Sequence, residues 1–176
     1  VQTAEGVYPP SVDITLAKIE QKFEENTPFS QTDQIALDSI LNLKLSQARQ
    51  KNIQVSCNSS VPHDLKLDAS DMMVILGNLL DNAITAASQK TEGAFISVQV
   101  SYEKGMLFIT VENSYSGKLR EWNGHFLTTK SNREQHGYGL HNIKKVLEPY
   151  HGIMEFEHTD HVFTVNIVMY CTPSKS

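Results

Sequence analysis

The segment Ser70–Ser88 limits the fold more than any other part of the chain. It reads as a helix capped by Asp68 or Ser70, and it is the most apolar helix in the sequence. Within it stand Asn78 and Asn82, four residues apart and therefore on one helical face. Asn is a mediocre helix former, and an amide turned toward a core needs hydrogen-bond partners. Two stacked amides in such a helix face a solvated edge, bond neighbouring backbone, or meet a ligand. A side-chain carbonyl is an oxygen ligand suited to a hard cation such as magnesium, which keeps several waters and bridges substrate phosphates.

The flanking patterns supply the partners for this helix. Val12, Leu16, Ile19 and Phe23 alternate at spacings of four and three, which predicts a short amphipathic helix over 12–26 ended by Asn26-Thr27-Pro28. Ser30 with Asp33 resembles a capping box, and Leu37, Ile40, Leu41, Leu45 and Ala48 give the following helix, to about Lys51, one apolar face. Ile53–Cys57 alternates as a strand. Downstream, Ile96, Val98, Val100 and Tyr102 alternate with polar residues, Lys104-Gly105 turns, and Leu107, Ile109 and Val111 alternate again. The pattern disappears from Ser114 to Gln135, a structureless stretch of the length used for lids and binding loops. A helix from about Gly139 to Tyr150, ended by Pro149 and Gly152, and two strands at about 153–158 and 161–170 follow. The expected fold is an α/β two-layer sandwich, a mixed, mostly antiparallel sheet with helices on one face.

Bulk properties exclude several classes. A net charge of −5 with no dense Lys/Arg block argues against a nucleic-acid partner. Cys57 and Cys171 lie far apart with no companion, which favours free thiols over a disulfide or zinc site. No apolar run approaches the roughly 20 residues that span a bilayer. The chain opens on Val, so a membrane anchor is expected only in segments upstream of it.

A second chemical feature is His136-Gly137-Tyr138-Gly139-Leu140, two glycines leading into a helix. Glycine permits close backbone approach, and a helix N-terminus offers free N–H groups at the positive end of its dipole, together a phosphate cradle. Gly-x-Gly alone is also the composition of many simple turns, and no Walker-type Gly-Lys-Ser/Thr accompanies it. Thr128-Thr129-Lys130 adds two hydroxyls and a cation upstream, although a loop lysine is commonly just solvated.

The order of these features resembles the GHKL superfamily: Asn-x-x-x-Asn on an apolar helix, a hairpin ending in Val111-Glu112-Asn113, a long loop, then Gly-x-Gly-Leu opening a helix. That superfamily holds the nucleotide domains of gyrase, heat-shock chaperones, histidine kinases and MutL. Within it, Leu79-Leu80-Asp81-Asn82-Ala83-Ile84, Asn113-Ser114, Thr129-Lys130 and His136–Ile143 are similar to the catalytic domain of Agr-type peptide-sensing histidine kinases, over roughly residues 30–170. The resemblance implies a Bergerat-type ATP-binding fold at 30–172, preceded by the end of a dimerisation region at 1–29 and followed by a tail at 173–176. It implies ATP and magnesium as ligands, with Asn82 on the metal, Asn78 and Lys130 beside the reacting phosphates, and Thr129, Gly137, Gly139 and Leu140 around the phosphate chain. Hydrolytic relatives carry Glu where this chain has Asn78, and an amide is no general base at neutral pH. The adenine motif Asp-x-Gly-x-Gly is replaced by Asn113-Ser114-Tyr115-Ser116-Gly117, so Asn113 and Gly117 would meet the base, through a neutral acceptor in place of a carboxylate.

The function this implies is phosphoryl transfer from ATP to a histidine on a dimerisation domain outside the chain, with a response regulator as the onward partner. The implied setting is the cytoplasmic part of a membrane-anchored, homodimeric receptor kinase. None of the seven histidines stands on the 12–26 helix. An anti-sigma-factor-type serine kinase resembles the same superfamily, and the altered adenine motif also fits a nucleotide-sensing module without turnover.

Overall fold

The computed structural model describes residues 27–116, 120–122, 125–127 and 137–171. The 12–26 helix and the 173–176 tail lie outside them. Helix α1 spans Ile35–Gln50, and strand β1 spans Gln54–Ser60. Helix α2 runs Ala69–Ala87, followed by the β2–β3 hairpin at Phe95–Glu103 and Met106–Ser114. A small β4–β5 pair, Arg120–Trp122 and His125–Leu127, falls inside the stretch expected to lack structure. Three-residue strands are too short for an alternating pattern to show in sequence. Helix α3 (Gly137–Leu147), strand β6 (Ile153–His158) and strand β7 (Val162–Tyr170) complete the chain.

Five strands form one sheet in the order β1-β2-β3-β7-β6, parallel only between β1 and β2. Its inward face is set by strict alternation. Ile96, Val98 and Val100 of β2, Leu107, Ile109 and Val111 of β3, and Val165, Ile167 and Met169 of β7 are all buried. In register, Ile109 stands between Val100 and Ile167. The intervening Gln99 and Ser101 are exposed. The three described helices share one core with that inward face, giving the expected two-layer sandwich. The hairpin turns on Lys104 (φ 50°) and Gly105 (φ 86°), the pair of positive φ values that matches strand twist in a two-residue connection. No described helix is long and apolar enough to cross a membrane.

The start of α1 corrects the capping-box expectation. Asp33 lies outside the helix with φ 64°, and Gln34 is the N-cap without a side-chain cap bond. Asp38 reaches back instead: its carboxylate accepts from Thr32 N–H at 2.9 and 3.0 Å, from Thr32 Oγ1 at 2.9 Å and from Ser30 Oγ at 2.6 Å. Ser30 is buried and also meets Ser59 Oγ of β1 at 2.7 Å. Asn42 closes the same strap, accepting from Phe29 N–H and Ser30 N–H and donating to Ser30 O. Gln34 Nε2 points to the carbonyls of Pro62, His63 and Leu65, in the loop that leads into α2. Asn52, left-handed at φ 59°, then ends the helix as Ile53 N–H closes on Ala48 O, so β1 begins at Gln54 and runs on to Ser60.

Helix α2 carries its expected cap, Asp68 accepting from Asp71 N–H at 3.1 Å. Helix α3 begins two residues earlier than its pattern predicts and passes at Leu147 into a 3₁₀ turn, Glu148–Tyr150, which accommodates Pro149. His151 is left-handed (φ 47°), and Gly152 N–H returns to Leu147 O at 2.9 Å. A Cβ on Gly152 would sit 2.8 Å from Leu147 Cδ2, so only glycine fits.

Removing the Asp38 carboxylate takes the acceptor from the half-buried Thr32 donors and leaves the buried Ser30 hydroxyl with Ser59 alone. Asp38→Ala is expected to lower unfolding free energy by about 1–3 kcal/mol in urea denaturation. Burial pushes both thiols up to about 11, with the nearby Asp38 charge adding to the effect at Cys57. The unfolded chain therefore ionises first, and stability is expected to fall as pH rises from about 9 to about 11. A Cys57→Ala/Cys171→Ala variant, followed by urea midpoints across that window, should show a shallower fall.

Candidate functional site

Helix α2 is buried on three sides, against the sheet, α1 and α3. Leu76, Leu80, Ala83 and Ala87 stand on its inner side. Toward α1, Gly77 lies close to Ile40 Cδ1, and Lys44 Nζ meets Asp81 Oδ1 at 2.6 Å. The side toward α3 carries Asp71, Ile75, Asn78 and Asn82, spaced i, i+4, i+7 and i+11 on one stripe.

Two contacts fix how α3 lies on that stripe. Tyr150 Oη donates to Asp71 Oδ2 at 2.5 Å, and Gly139 lies against Asn78. Helix α3 therefore runs antiparallel to α2, with Ile143 and Leu147 buried between these points and Leu140 packed partly into the core. Asn78 Nδ2 donates to Val74 O, one turn back, at 2.7 Å. A Cβ built on Gly139 would stand 2.9 Å from Asn78 Oδ1, a distance no real side chain keeps. Asn82 lies one turn further along α2, past the point where α3 begins. It is half-buried, and its amide has no hydrogen-bond partner among the described residues. The first turn of α3 holds no acidic side chain, so no charge within the helix offsets the positive end of its dipole.

The end of β3 supplies a different group. Asn113 is 3% exposed and lies on the inward face after Ile109 and Val111, with Ile96 and Phe163 as its cross-strand neighbours. Its Nδ2 donates to Ser114 O at 3.0 Å, which only an N–H could do, so the amide orientation is fixed. Among the described residues no donor reaches Oδ1. A buried carbonyl that no donor meets costs about 1–3 kcal/mol, so an N–H group is the chemistry that fits beside it. Beside it, Ser114 Oγ accepts from Phe95 N–H, holding β2 to the strand end. Tyr115, also buried, donates its N–H to His161 O and its hydroxyl to Thr159 O, with its ring edge-on to Phe163. Its side chain is thereby committed to the β6–β7 turn.

Of the residues singled out in the sequence, Asn78, Asn82, Gly137, Gly139 and Leu140 meet at the α2–α3 junction. Asn113 ends the strand on which α2 packs. Gly117, Thr129 and Lys130 lie outside the described residues. Sequence reasoning missed the Asp71–Tyr150 bond. Its one available signal was that Asp71 stands seven residues before Asn78, on the same stripe.

Comparison with known proteins decides the family. The model of the GHKL domain matches residues 67–170, from the cap of α2 to the end of β7. The chain belongs to the GHKL domain family. GHKL domains bind ATP. The chain is also 28% identical over 128 residues to the sensor histidine kinase NatK of Bacillus subtilis (strain 168), covering 70% of this chain and 40% of NatK. It thus spans less than half of that relative. In fold it is similar to the catalytic domain of histidine kinase ThkA, at a TM-score of 0.59 and 23% identity, covering 78% of this chain and 91% of that one. It is likewise similar to the Acinetobacter baumannii histidine kinase AdeS, at a TM-score of 0.56 and 13% identity, covering 95% and 88% of the two chains.

Tyr115→Phe deletes the hydroxyl that holds Thr159 O in the β6–β7 turn. The expected cost is about 1 kcal/mol, with faster amide exchange confined to the 159–162 turn. Hydrogen-exchange mass spectrometry reads both.

Proposed function

We propose that this GHKL domain is the ATP-binding catalytic part of a sensor histidine kinase, transferring the γ-phosphoryl group to a histidine outside the chain. The observation that carries the reading is the Asn113 carbonyl, buried at the strand end that α2 covers and met by no donor among the described residues. An adenine amino group is a donor of matching size and polarity, and Tyr115 is turned aside against the β6–β7 turn. The phosphates then extend toward the opening of α3, where Gly137 and Gly139 let the backbone come close and the free N–H groups face anionic oxygens. Lys130 and Thr129 supply a cation and a hydroxyl to the terminal phosphate in this reading, and Gly117 lines the base.

Asn82 fits a magnesium ion: it is a neutral oxygen ligand with no partner among the described residues, next to a phosphate-binding helix end. When bound there, the ion would neutralise charge on the phosphate chain. The chain's own residues bind and orient the nucleotide, and positioning with charge neutralisation is most of what phosphoryl transfer asks of a protein. No carboxylate stands at position 78 to activate water, which favours transfer to a nitrogen nucleophile delivered from elsewhere. The ATP-binding unit is 30–172, with 1–29 as the end of a dimerisation region. The intact protein is a homodimeric, membrane-anchored kinase of the Agr-type branch with this domain in the cytoplasm, and a response regulator receives its phosphoryl group. The similarity to the sensor histidine kinase NatK supports the kinase reading, and the fold shared with ThkA and AdeS agrees with it.

Calorimetric titration with ATP and magnesium tests the site. Wild type should bind, and Asn82→Ala should lose at least about tenfold in affinity, roughly 1.4 kcal/mol, with a smaller loss when magnesium is withheld. Absence of binding by wild type would end the reading. Supplying a longer form that carries the upstream histidine should yield acid-labile phosphate, whereas acid-stable phosphate would point to a serine kinase.

A further inference from the structure

We infer that Asn78 is a positioning residue: it sets the distance between α2 and the glycine end of α3. One end of its amide is bonded inside the protein and the other stands over Gly139. Nδ2 is held by Val74 O at 2.7 Å, which fixes the side chain along the helix. That bond directs Oδ1 at Gly139, where an added Cβ would approach to 2.9 Å, with Cγ at 3.6 Å and Cβ at 3.7 Å. At the far end of the seam Tyr150, just past the end of α3, bonds Asp71. The seam is thus a two-point mount. The Tyr150–Asp71 bond is the fixed point, and the Asn78–Gly139 contact is the stop that decides how far the first turn of α3 stands from Asn82. On this account glycine is required at 139 because Asn78 occupies the space a Cβ would take. The requirement for close backbone approach to phosphate, which glycine is usually invoked to meet, falls on Gly137.

The inference rests on the nucleotide reading only for what the spacing serves; the mount itself is a matter of packing. A double-mutant cycle over Asn78→Ala and Gly139→Ala tests it with two readouts, thermal unfolding and ATP–magnesium affinity. Gly139→Ala should lower the melting temperature and weaken ATP by about tenfold or more. Asn78→Ala removes Oδ1 and Cγ and leaves its own Cβ at ordinary contact distance, so the double variant should regain most of both losses. Such rescue is a sign that two direct phosphate contacts would not give. The inference is overturned if Asn78→Ala alone abolishes ATP binding at unchanged melting temperature and the double variant is no better than Gly139→Ala. It is also overturned if the two losses simply add in both readouts. Rescue of melting temperature in a chain whose wild type binds no ATP would uphold the mount while removing the nucleotide reading.

Discussion

Everything in this domain is arranged around the burial of α2. One helix cannot be apolar on three sides and remain soluble unless the sheet, α1 and α3 each cover a side. The stripe that faces α3 carries three polar side chains, Asp71, Asn78 and Asn82. Each is used differently according to how far α3 extends along the stripe. Asp71 bonds Tyr150, Asn78 abuts Gly139, and Asn82 stands beyond the start of α3 with no partner among the described residues. The candidate site is therefore the place where one helix outruns its neighbour, and the dipole end of the shorter helix faces the amide left over.

The sheet contributes through its register. Alternation brings Asn113 onto the inward face after Ile109 and Val111, at the last rungs of β3. Ser114 and Tyr115 then fasten that strand end to Phe95 on one side and to the 159–161 turn on the other. An amide held so firmly offers one carbonyl in one direction, and neutrality suits it to remain buried before a ligand arrives, where a carboxylate would bear a larger desolvation cost. The two departures from the motif the sequence resembles, Asn for Asp at 113 and Tyr for Gly at 115, both fall on this strand end, the corner proposed to hold the base.

Much of this was legible in the sequence because two simple periods carried it. The 3.6-residue period located α2 and α1, although α1 starts at Ile35 and not beside Ser30, and the two-residue period located β2 and β3 to within a residue or two. Local chemistry was less reliable. Ser30 and Asp33 had capping-box spacing, but the carboxylate that holds the strap is Asp38, which acts across the turn to Ser30 and Thr32 and on to β1 through Ser59. The β4–β5 pair was invisible because three residues show no period. The pairing of Asn78 with Gly139 depends on how closely two helices approach, across 61 positions of sequence, and no motif records that distance. Sequence alone also left open whether the Asn amides bond backbone or meet a ligand; the structure divides them, with Asn78 bonded to Val74 O and Asn82 left without a described partner.

The central claim is that one nucleotide bridges the Asn113 carbonyl and the α2–α3 junction. Nuclear magnetic resonance of the isotopically labelled chain, titrated with ADP and magnesium, locates the ligand directly. The account predicts concerted shifts of the Asn113 and Asn82 side-chain amides and of the backbone amides at 137–140, saturating at one equivalent, with the exposed face of the sheet unmoved. Shifts confined to α1 or to the exposed sheet face, or Asn113 unmoved while the α3 opening responds, would contradict it.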